Sequence, residues 1–287
     1  MPSERSAETT RFAPSPTGLL HLGHGAAARF ASDAAGRDGR FLLRIEDIDR
    51  SRCRPEFETA IYEDLAWLGL RWEMPVRRQA EHFEEYKNAL AELERRGLLY
   101  PCFCTRADIA REIAAAASAP HLSGGPEGPV YPGTCRTLSS AAQQRRKDEG
   151  TSYALRLRMD EAIRGAGALT WMDRERGIQP AAPEIFGDIV LGRKDTPASY
   201  HLACTLDDAL QGVTLVTRGE DLFAATHVHR LLQALFALPS PNYLHHRLVT
   251  DAAGKKFSKR DHAVTLRSVR EAGVRPEELT ARGFAPG

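Results

Sequence analysis

Short apolar stretches that alternate with helical stretches constrain the fold of this 287-residue chain more than any other feature. Phe41–Ile45 has the length of a strand and is apolar except for Arg44. It stands between the Ala-rich helical stretch Leu22–Gly36 and the helical stretch Arg54–Leu68. Buried parallel strands are short apolar runs of this kind, and helices connect them. The order predicts an α/β fold in which helices cover a parallel sheet.

The composition changes in the middle of the chain. Residues 101–192 contain a cluster of cysteines, a Gly/Pro-rich stretch at 120–133 and a basic run at 143–147. After them the α/β pattern returns, with a helix predicted at Leu222–Leu238. We therefore interpret residues 101–192 as an insertion into the α/β domain.

The insertion divides the predicted domain into parts. The domain limits that we predict are 9–100 for the first half of the sheet, 193–265 for the second half and 266–287 for a short helical cap. In the second half we predict strands at His201–Thr205, Thr214–Thr217 and Leu244–Thr250.

Charge and hydropathy exclude some classes of protein. The net charge of +1 provides no overall basic field for nucleic acid, so RNA binding would depend on local patches. There is no run of 18 apolar residues, and residues 1–10 lack the apolar core of a signal peptide. We predict a cytoplasmic protein without a membrane partner. In that reducing compartment, clustered cysteines favour a metal site over disulfides.

The first motif is a Pro-rich loop, residues 11–18, followed by His21 and His24. The two histidines are three residues apart at a predicted helix N-terminus, so their rings lie on one side of the first turn. Free N–H groups and the helix dipole attract phosphate to such an end. Imidazoles placed there can donate hydrogen bonds to a nucleotide phosphate as charge develops.

A dinucleotide-binding site is a competing interpretation. Gly23, Gly25 and Ala28 fit the pattern G-x-G-x-x-A, and the acidic residue Glu46 follows about 20 residues later. That pattern would indicate a nicotinamide-dependent dehydrogenase. However, its first glycine should closely follow an apolar strand, and here a loop with two prolines intervenes.

The second motif is a lysine-rich segment near the end of the chain, residues 254–260. It contains Lys256 and Lys259 and follows the strand predicted at Leu244–Thr250. A mobile loop with two lysines can neutralise the pyrophosphate that leaves ATP, and contacts made mainly in the transition state raise the rate. The chain contains no P-loop sequence.

Together these motifs resemble class I aminoacyl-tRNA synthetases of the glutamyl and glutaminyl type. Residues 11–24 resemble the HIGH block, residues 43–49 the block that follows it, and residues 256–260 the KMSKS loop. Phe257 and Arg260 depart from KMSKS, and neither change removes a lysine. The resemblance implies a Rossmann-like catalytic domain that binds ATP with magnesium through His21, His24, Lys256 and Lys259.

The resemblance also implies a pocket for glutamate. Glu46 would take the ammonium group, and guanidinium groups are suited to the two carboxylates. The implied glutamate-binding residues are Arg11, Phe12, Ala13, Pro14, Ser15, Glu46, Tyr200 and Arg218. The alternative is that Arg11 and Arg218 form ordinary ion pairs with acidic neighbours.

The cysteine cluster combines Cys102 and Cys104 with the distant Cys135. Three thiolates and one further ligand would make a tetrahedral structural zinc site. The family resemblance implies that Tyr131 is the fourth ligand of one Zn²⁺ per chain, and His121 is another candidate. Three buried cysteines without a metal are the alternative.

The RNA acceptor is implied by the resemblance alone. Only 28 residues follow Lys259, where discriminating glutamyl enzymes carry an anticodon-binding domain. This length resembles the bacterial glutamyl-queuosine branch of the family, which transfers glutamate to the queuosine base in the anticodon of aspartate tRNA. We expect a monomer. Charging of a tRNA 3′ end and a non-catalytic RNA-binding module are the alternatives.

Overall fold

The protein is described here by a computed structural model that covers residues 7–115, 124–193, 196–248 and 264–281. The strands are β1 (Thr9–Phe12), β2 (Arg40–Ile45), β3 (Glu73–Arg78), β4 (Leu99–Cys102), β5 (Gly124–Gly125), β6 (Gly128–Pro129), β7 (Ala154–Leu157), β8 (Thr170–Asp173), β9 (Gly177–Pro180), β10 (Val190–Arg193), β11 (Leu215–Gly219) and β12 (Asn242–His246). The helices are α1 (Leu22–Ala35), α2 (Pro55–Trp67), α3 (Phe83–Arg95), α4 (Arg106–Ala115), α5 (Ser140–Asp148), α6 (Met159–Ala166), α7 (Tyr200–Leu210), α8 (Ala225–Leu235), α9 (Leu266–Glu271) and α10 (Pro276–Ala281).

A parallel sheet forms the centre of the fold. Strands β1, β2 and β3 pair in parallel, as do β11 and β12. The two groups meet where the backbone N–H of Thr214 donates to the carbonyl of Thr9 at 3.0 Å. With β1 beside β11, the two parallel groups stand side by side in the order β3-β2-β1 and β11-β12. This confirms the predicted α/β fold with a parallel sheet. In such an order the direction of winding reverses between β1 and β11, and ligands bind at the carboxyl ends of the strands there.

Helices α1 and α2 pack on this sheet for reasons visible in the sequence. The buried face of α1 carries Ala26, Ala28, Ala31 and Ala35, whose small side chains let the helix approach the strands closely. Pro55 opens α2, where its missing N–H costs nothing, and acidic residues follow in the first turn.

The middle of the chain adds a second layer. Strands β4, β7 and β10 form an antiparallel sheet, and β5 and β6 form a short hairpin. Not all of block 101–192 lies in that layer, because β8 joins the central sheet beside β12 through the pair Asp173–Tyr243. Strand β9 then pairs with β8.

The C-terminal helices α9 and α10 pack against the first half of the fold. Leu266 and Leu279 are buried in the same apolar cluster as Leu20. The backbone N–H of Leu266 donates to the carbonyl of Leu20 at 2.8 Å, and Thr265 forms a bridge with His21. The chain that follows residue 263 is thereby fixed beside the N-terminus of α1.

One predicted strand was wrong and another was misplaced. The strand predicted at Leu244–Thr250 is β12 at Asn242–His246, and residues 249 and 250 lie outside the described residues. His201–Thr205 is not a strand but part of helix α7, whose N-cap hydroxyl, Ser199, accepts the N–H of Leu202 at 3.3 Å. Short apolar runs fit both a strand and a buried helix, so the capping residue is the signal that separates them. Within the described ranges, none of the helices combines the length and apolar character needed to cross a membrane.

Candidate active site

The histidine motif lies at the beginning of α1, as predicted. The rings of His21 and His24 stack with their centroids 3.7 Å apart. The backbone N–H of His21 donates to Nδ1 of His24 at 3.2 Å. Gly23 lies in the first turn of α1, not in a turn before it. This placement does not fit the dinucleotide fingerprint, whose first glycine forms the turn between strand and helix.

A cavity of about 1380 Å³ opens at the carboxyl ends of β1 and β2. It brings together residues that the sequence analysis assigned to different parts of the site. The predicted residues that line it are Phe12, Ala13, Pro14, Ser15, His24, Glu46, Tyr131 and Tyr200. Arg11 and Arg218 lie buried behind this lining, and Lys256 and Lys259 lie outside the described residues.

Arg11 is held by a buried ion pair. Its Nε donates to Oδ1 of Asp208 at 3.0 Å, and Nη1 donates to the carbonyl of Thr217 at 3.1 Å. Arg44 donates to the same Asp208 oxygen at 2.7 Å. Burial alone would raise the pKa of Asp208, but the two guanidinium groups outweigh burial and hold that pKa at about 2. For Arg11, the ordinary ion pair considered as an alternative is therefore present.

Arg218 has different surroundings. Its Nε donates to Nε2 of His245 at 3.3 Å and its Nη1 to the hydroxyl of Tyr200 at 3.4 Å. Nη1 also lies 3.2 Å from Nδ1 of His229, and Nη2 donates to the hydroxyl of Thr226. Among the residues that the structure describes, no carboxylate lies within ion-pair distance of this arginine. A buried cation surrounded only by neutral partners is costly, and an anionic ligand would offset that cost.

Glu46 is one of the acidic residues that line the cavity. Its side chain is 10% exposed and lies 3.4 Å from Nη2 of Arg44. Burial raises the pKa of Glu46, and the positive charges of Arg44 and Arg11 oppose this effect. Beside Tyr200 the cavity therefore offers the carboxylate of Glu46 and, behind Tyr200, a guanidinium with no carboxylate partner among the described residues. These two charges are complementary to the ammonium group and a carboxylate of an amino acid.

The three predicted cysteines come together. The sulfur atoms of Cys102, Cys104 and Cys135 all lie within 4.8 Å of one another. The hydroxyl of Tyr131 lies 3.5 Å from Sγ of Cys104 and accepts the N–H of Cys135 at 2.8 Å. Zinc–sulfur bonds of about 2.3 Å place tetrahedral ligands about 3.8 Å apart, so these groups fit a zinc ion. His121 lies outside the described residues.

Several residues of the site were not identified from sequence. Asp208 and Arg44 form its buried charged base, and Glu127 reaches it from the tip of the β5–β6 hairpin. Oε1 of Glu127 lies 3.0 Å from Nε2 of His201. Arg44 could have been found as the one charge inside an apolar strand, since a buried charge requires a partner. No local signal marks Glu127.

Comparisons with known proteins agree with this geometry. Residues 8–285 match the family described as tRNA synthetases class I (E and Q), catalytic domain. The glutamyl-Q tRNA(Asp) synthetase of Rhodobacter capsulatus is 49% identical over 277 residues, which cover 94% of this chain and 97% of that protein. The protein of the same name from Symbiobacterium thermophilum is 42% identical, over 94% of this chain and 83% of that protein.

Solved structures show the same fold. A crystal structure of a glutamate tRNA ligase from Elizabethkingia meningosepticum, in complex with its amino acid, matches with a TM-score of 0.74 at 28% identity. The match covers 89% of this chain and 52% of that ligase, so this chain spans about half the length of that protein. The chain belongs to the class I tRNA synthetases of the glutamyl and glutaminyl type, and within them to the glutamyl-Q tRNA(Asp) synthetase family.

Proposed function

We propose that this protein uses ATP to activate glutamate as glutamyl adenylate and transfers the glutamyl group to the queuosine base in the anticodon of aspartate tRNA. The observation that carries the first step is Arg218, a buried guanidinium behind Tyr200 for which the described residues provide no carboxylate counter-ion. A substrate carboxylate would supply that counter-ion, and Glu46 would receive the α-ammonium group. Arg11 adds positive charge nearby, with Nη1 bonded to the carbonyl of Thr217.

The phosphates of ATP would lie at the other end of the cavity. His24 lines it at the N-terminus of α1, where the helix dipole and the imidazoles favour phosphate. Thr265, which follows the lysine-containing segment by five residues in the chain, lies beside His21. We assign Lys256 and Lys259 to the leaving pyrophosphate, and Mg²⁺ accompanies the ATP.

The chemistry follows from these positions. An oxygen of the α-carboxylate attacks the α-phosphorus, and the bond to pyrophosphate breaks. A hydroxyl of the queuosine base then attacks the carbonyl carbon of glutamyl adenylate, AMP leaves, and the hydroxyl proton is released. His21, His24 and the two lysines act on charge that grows in the first transition state, where such contacts have most effect.

We assign a structural role to a zinc ion held by Cys102, Cys104, Tyr131 and Cys135. It would connect β4 to the segment that follows the β5–β6 hairpin, and the hairpin tip reaches the cavity through Glu127. The zinc would hold the inserted subdomain, residues 101–192, in place and would take no part in the chemistry. The remaining limits that we propose are 9–100 and 193–265 for the two halves of the catalytic domain and 266–287 for a helical cap.

The zinc assignment predicts a metal content. Protein purified without chelators is expected to contain about one zinc per chain, and Cys135→Ser to contain much less, because one thiolate ligand is lost. Cys53→Ser, which changes a cysteine outside the cluster, serves as the control and is expected to keep its zinc. Zinc well below one per chain in the wild-type protein would contradict the assignment.

The acceptor is tested by transfer of radiolabelled glutamate. The expected result is glutamate-dependent ATP–pyrophosphate exchange without RNA, and labelling of aspartate tRNA only when that tRNA carries queuosine. The matched control is aspartate tRNA from cells that cannot make queuosine. Labelling of glutamate tRNA at its 3′ end would instead establish the alternative of a short glutamyl-tRNA synthetase. We also propose that the protein acts as a monomer, which its mass in solution tests.

A further inference from the structure

A buried carboxylate lies behind Arg218 and reaches it through one imidazole ring. Oδ2 of Asp173 lies 2.6 Å from Nδ1 of His245, and both side chains are fully buried. On the other side of the ring, Nε2 faces the Nε–H of Arg218 at 3.3 Å. The three side chains form a line that ends at the guanidinium to which we assign a carboxylate of glutamate.

The direction of each hydrogen bond in this line is determined. Oδ1 of Asp173 accepts the backbone N–H groups of Glu175 and Arg176, both at 3.0 Å. Burial raises the pKa of Asp173, but the hydrogen bonds from His245 and from these two N–H groups outweigh it and lower that pKa. An ionised carboxylate only accepts, so Nδ1 of His245 carries the proton and the lone pair of Nε2 faces Arg218.

His245 is neutral at physiological pH. Burial lowers the pKa of His245 to about 4, and the positive charge of Arg218 acts in the same direction. The ring is also held by its neighbours. Its centroid lies 6.1 Å from that of Tyr243, whose ring is nearly parallel to it, and 5.9 Å from that of Trp171, which meets it edge-on. The imidazole therefore presents one fixed acceptor to the guanidinium.

Asp173 comes from an unexpected part of the chain. It ends β8, within block 101–192, and it is the residue through which β8 pairs with Tyr243 of β12. The block interpreted as an insertion thus contributes a buried side chain to the base of the amino-acid site. A simple solvated turn would not need a carboxylate with zero exposure at this place.

We propose that Asp173 and His245 are positioning residues for glutamate. The carboxylate fixes the tautomer of His245, and the imidazole fixes the plane of the Arg218 guanidinium in the orientation that receives a substrate carboxylate. Neither residue touches the substrate. This inference rests on the proposed function, since it deepens the role assigned to Arg218.

The test is Asp173→Asn, which conserves size and removes the charge. If the amide oxygen keeps the two backbone N–H groups, its NH₂ faces Nδ1 of His245. Nε2 must then carry the proton, which faces the Nε–H of Arg218. If the amide is rotated by half a turn, its NH₂ instead faces the N–H groups of Glu175 and Arg176, and neither of those donors has an acceptor. We expect the KM for glutamate in ATP–pyrophosphate exchange to rise about tenfold or more, as for other orienting partners, and the KM for ATP to stay within about twofold.

A second variant covers the case in which Asp173→Asn does not fold. His245→Asn places an amide NH₂ about where Nδ1 stands, so Asp173 keeps a donor while the side chain at position 245 no longer reaches Arg218. The same rise in the KM for glutamate is expected. Asp64→Asn is the matched control, because Asp64 is also a fully buried aspartate, but it lies beside Arg270 of α9. It is expected to leave both KM values unchanged.

Two readouts distinguish positioning from a structural effect. ¹⁵N NMR of labelled histidine is expected to show the Nδ1–H tautomer of His245 in the wild type. In Asp173→Asn that tautomer is expected to be lost when the amide oxygen keeps the two backbone N–H groups. Folded Asp173→Asn and His245→Asn proteins with an unchanged KM for glutamate, or with equal changes in both KM values, would overturn the inference. A wild-type protein without glutamate-dependent exchange would overturn the proposed function as well, so the two failures are distinct.

Discussion

Arg218→Ala is expected to lower kcat/KM for glutamate in ATP–pyrophosphate exchange by about thirtyfold or more. The loss of one partner from a buried, hydrogen-bonded charge pair costs about 2–5 kcal/mol, and every 1.4 kcal/mol is a factor of ten. In the described part of the protein, the guanidinium has only neutral partners: imidazole nitrogens and the hydroxyls of Tyr200 and Thr226. The substrate would therefore supply the missing negative charge.

The same absence of a counter-ion predicts that the variant folds. Removal of Arg218 leaves none of the described carboxylates without a partner, so the variant is expected to unfold cooperatively and to bind ATP as the wild type does. Calorimetric titration with glutamate separates lost binding from lost chemistry. Arg218→Lys keeps the charge but not the planar guanidinium group. Its affinity for glutamate is expected to lie between those of the wild type and Arg218→Ala. Arg275→Ala, at an exposed residue directly before α10, is the control. Normal glutamate binding by Arg218→Ala would contradict the assignment of Arg218 to a carboxylate of glutamate.

The outline of the fold was predictable because periodicity and composition encode it locally. The run Phe41–Ile45 became β2, and the Ala-rich stretch became α1. The alternation of strands and helices was then enough to predict a parallel sheet. The assignment of His201–Thr205 to a strand failed because a short apolar run is ambiguous and the preceding Ser199 was not recognised as an N-cap.

The charged base of the site was only partly predictable. Arg11, Glu46 and Arg218 stand in motifs, so the family resemblance identified them. Their partners do not follow from local sequence, because the contacts span long intervals: Arg11 meets Asp208 across 197 residues. For the same reason the alternative of ordinary ion pairs could not be decided in advance. It holds for Arg11 and fails for Arg218 among the described residues.

Asp173 and His245 show a second limit of sequence analysis. They lie 72 positions apart, on strands that meet only because β8 joins the central sheet. The motifs that carry the family resemblance do not include that pair, and neither residue follows a local pattern typical of a site. Only the complete fold shows that a carboxylate in the middle of the chain supports the arginine of the pocket.

Asp208→Asn is expected to lower the stability of the protein, whereas Arg218→Ala is expected to weaken the binding of glutamate. Asp208 is 6% exposed and accepts hydrogen bonds from Arg11 at 3.0 Å and Arg44 at 2.7 Å. The substitution keeps the size of the side chain and leaves two buried guanidinium groups without this charge. Removal of one partner from a buried ion pair typically costs about 3–5 kcal/mol. Urea unfolding at pH 7 measures that loss in the free energy of unfolding.

The stabilisation by Asp208 is expected to decrease at acidic pH. The pKa of Asp208 in the folded protein is about 2, below the value of about 3.9 expected in the unfolded chain. The stabilisation is therefore complete above about pH 4 and is lost as the pH falls through this interval towards 2. The difference between wild type and Asp208→Asn should be largest at neutral pH and smaller by about 1 kcal/mol at pH 3. Asp33→Asn, on the exposed face of α1, is the control and is expected to stay within about 0.5 kcal/mol of wild type. Equal stability of Asp208→Asn and wild type at pH 7 would show that the two arginines do not depend on this carboxylate.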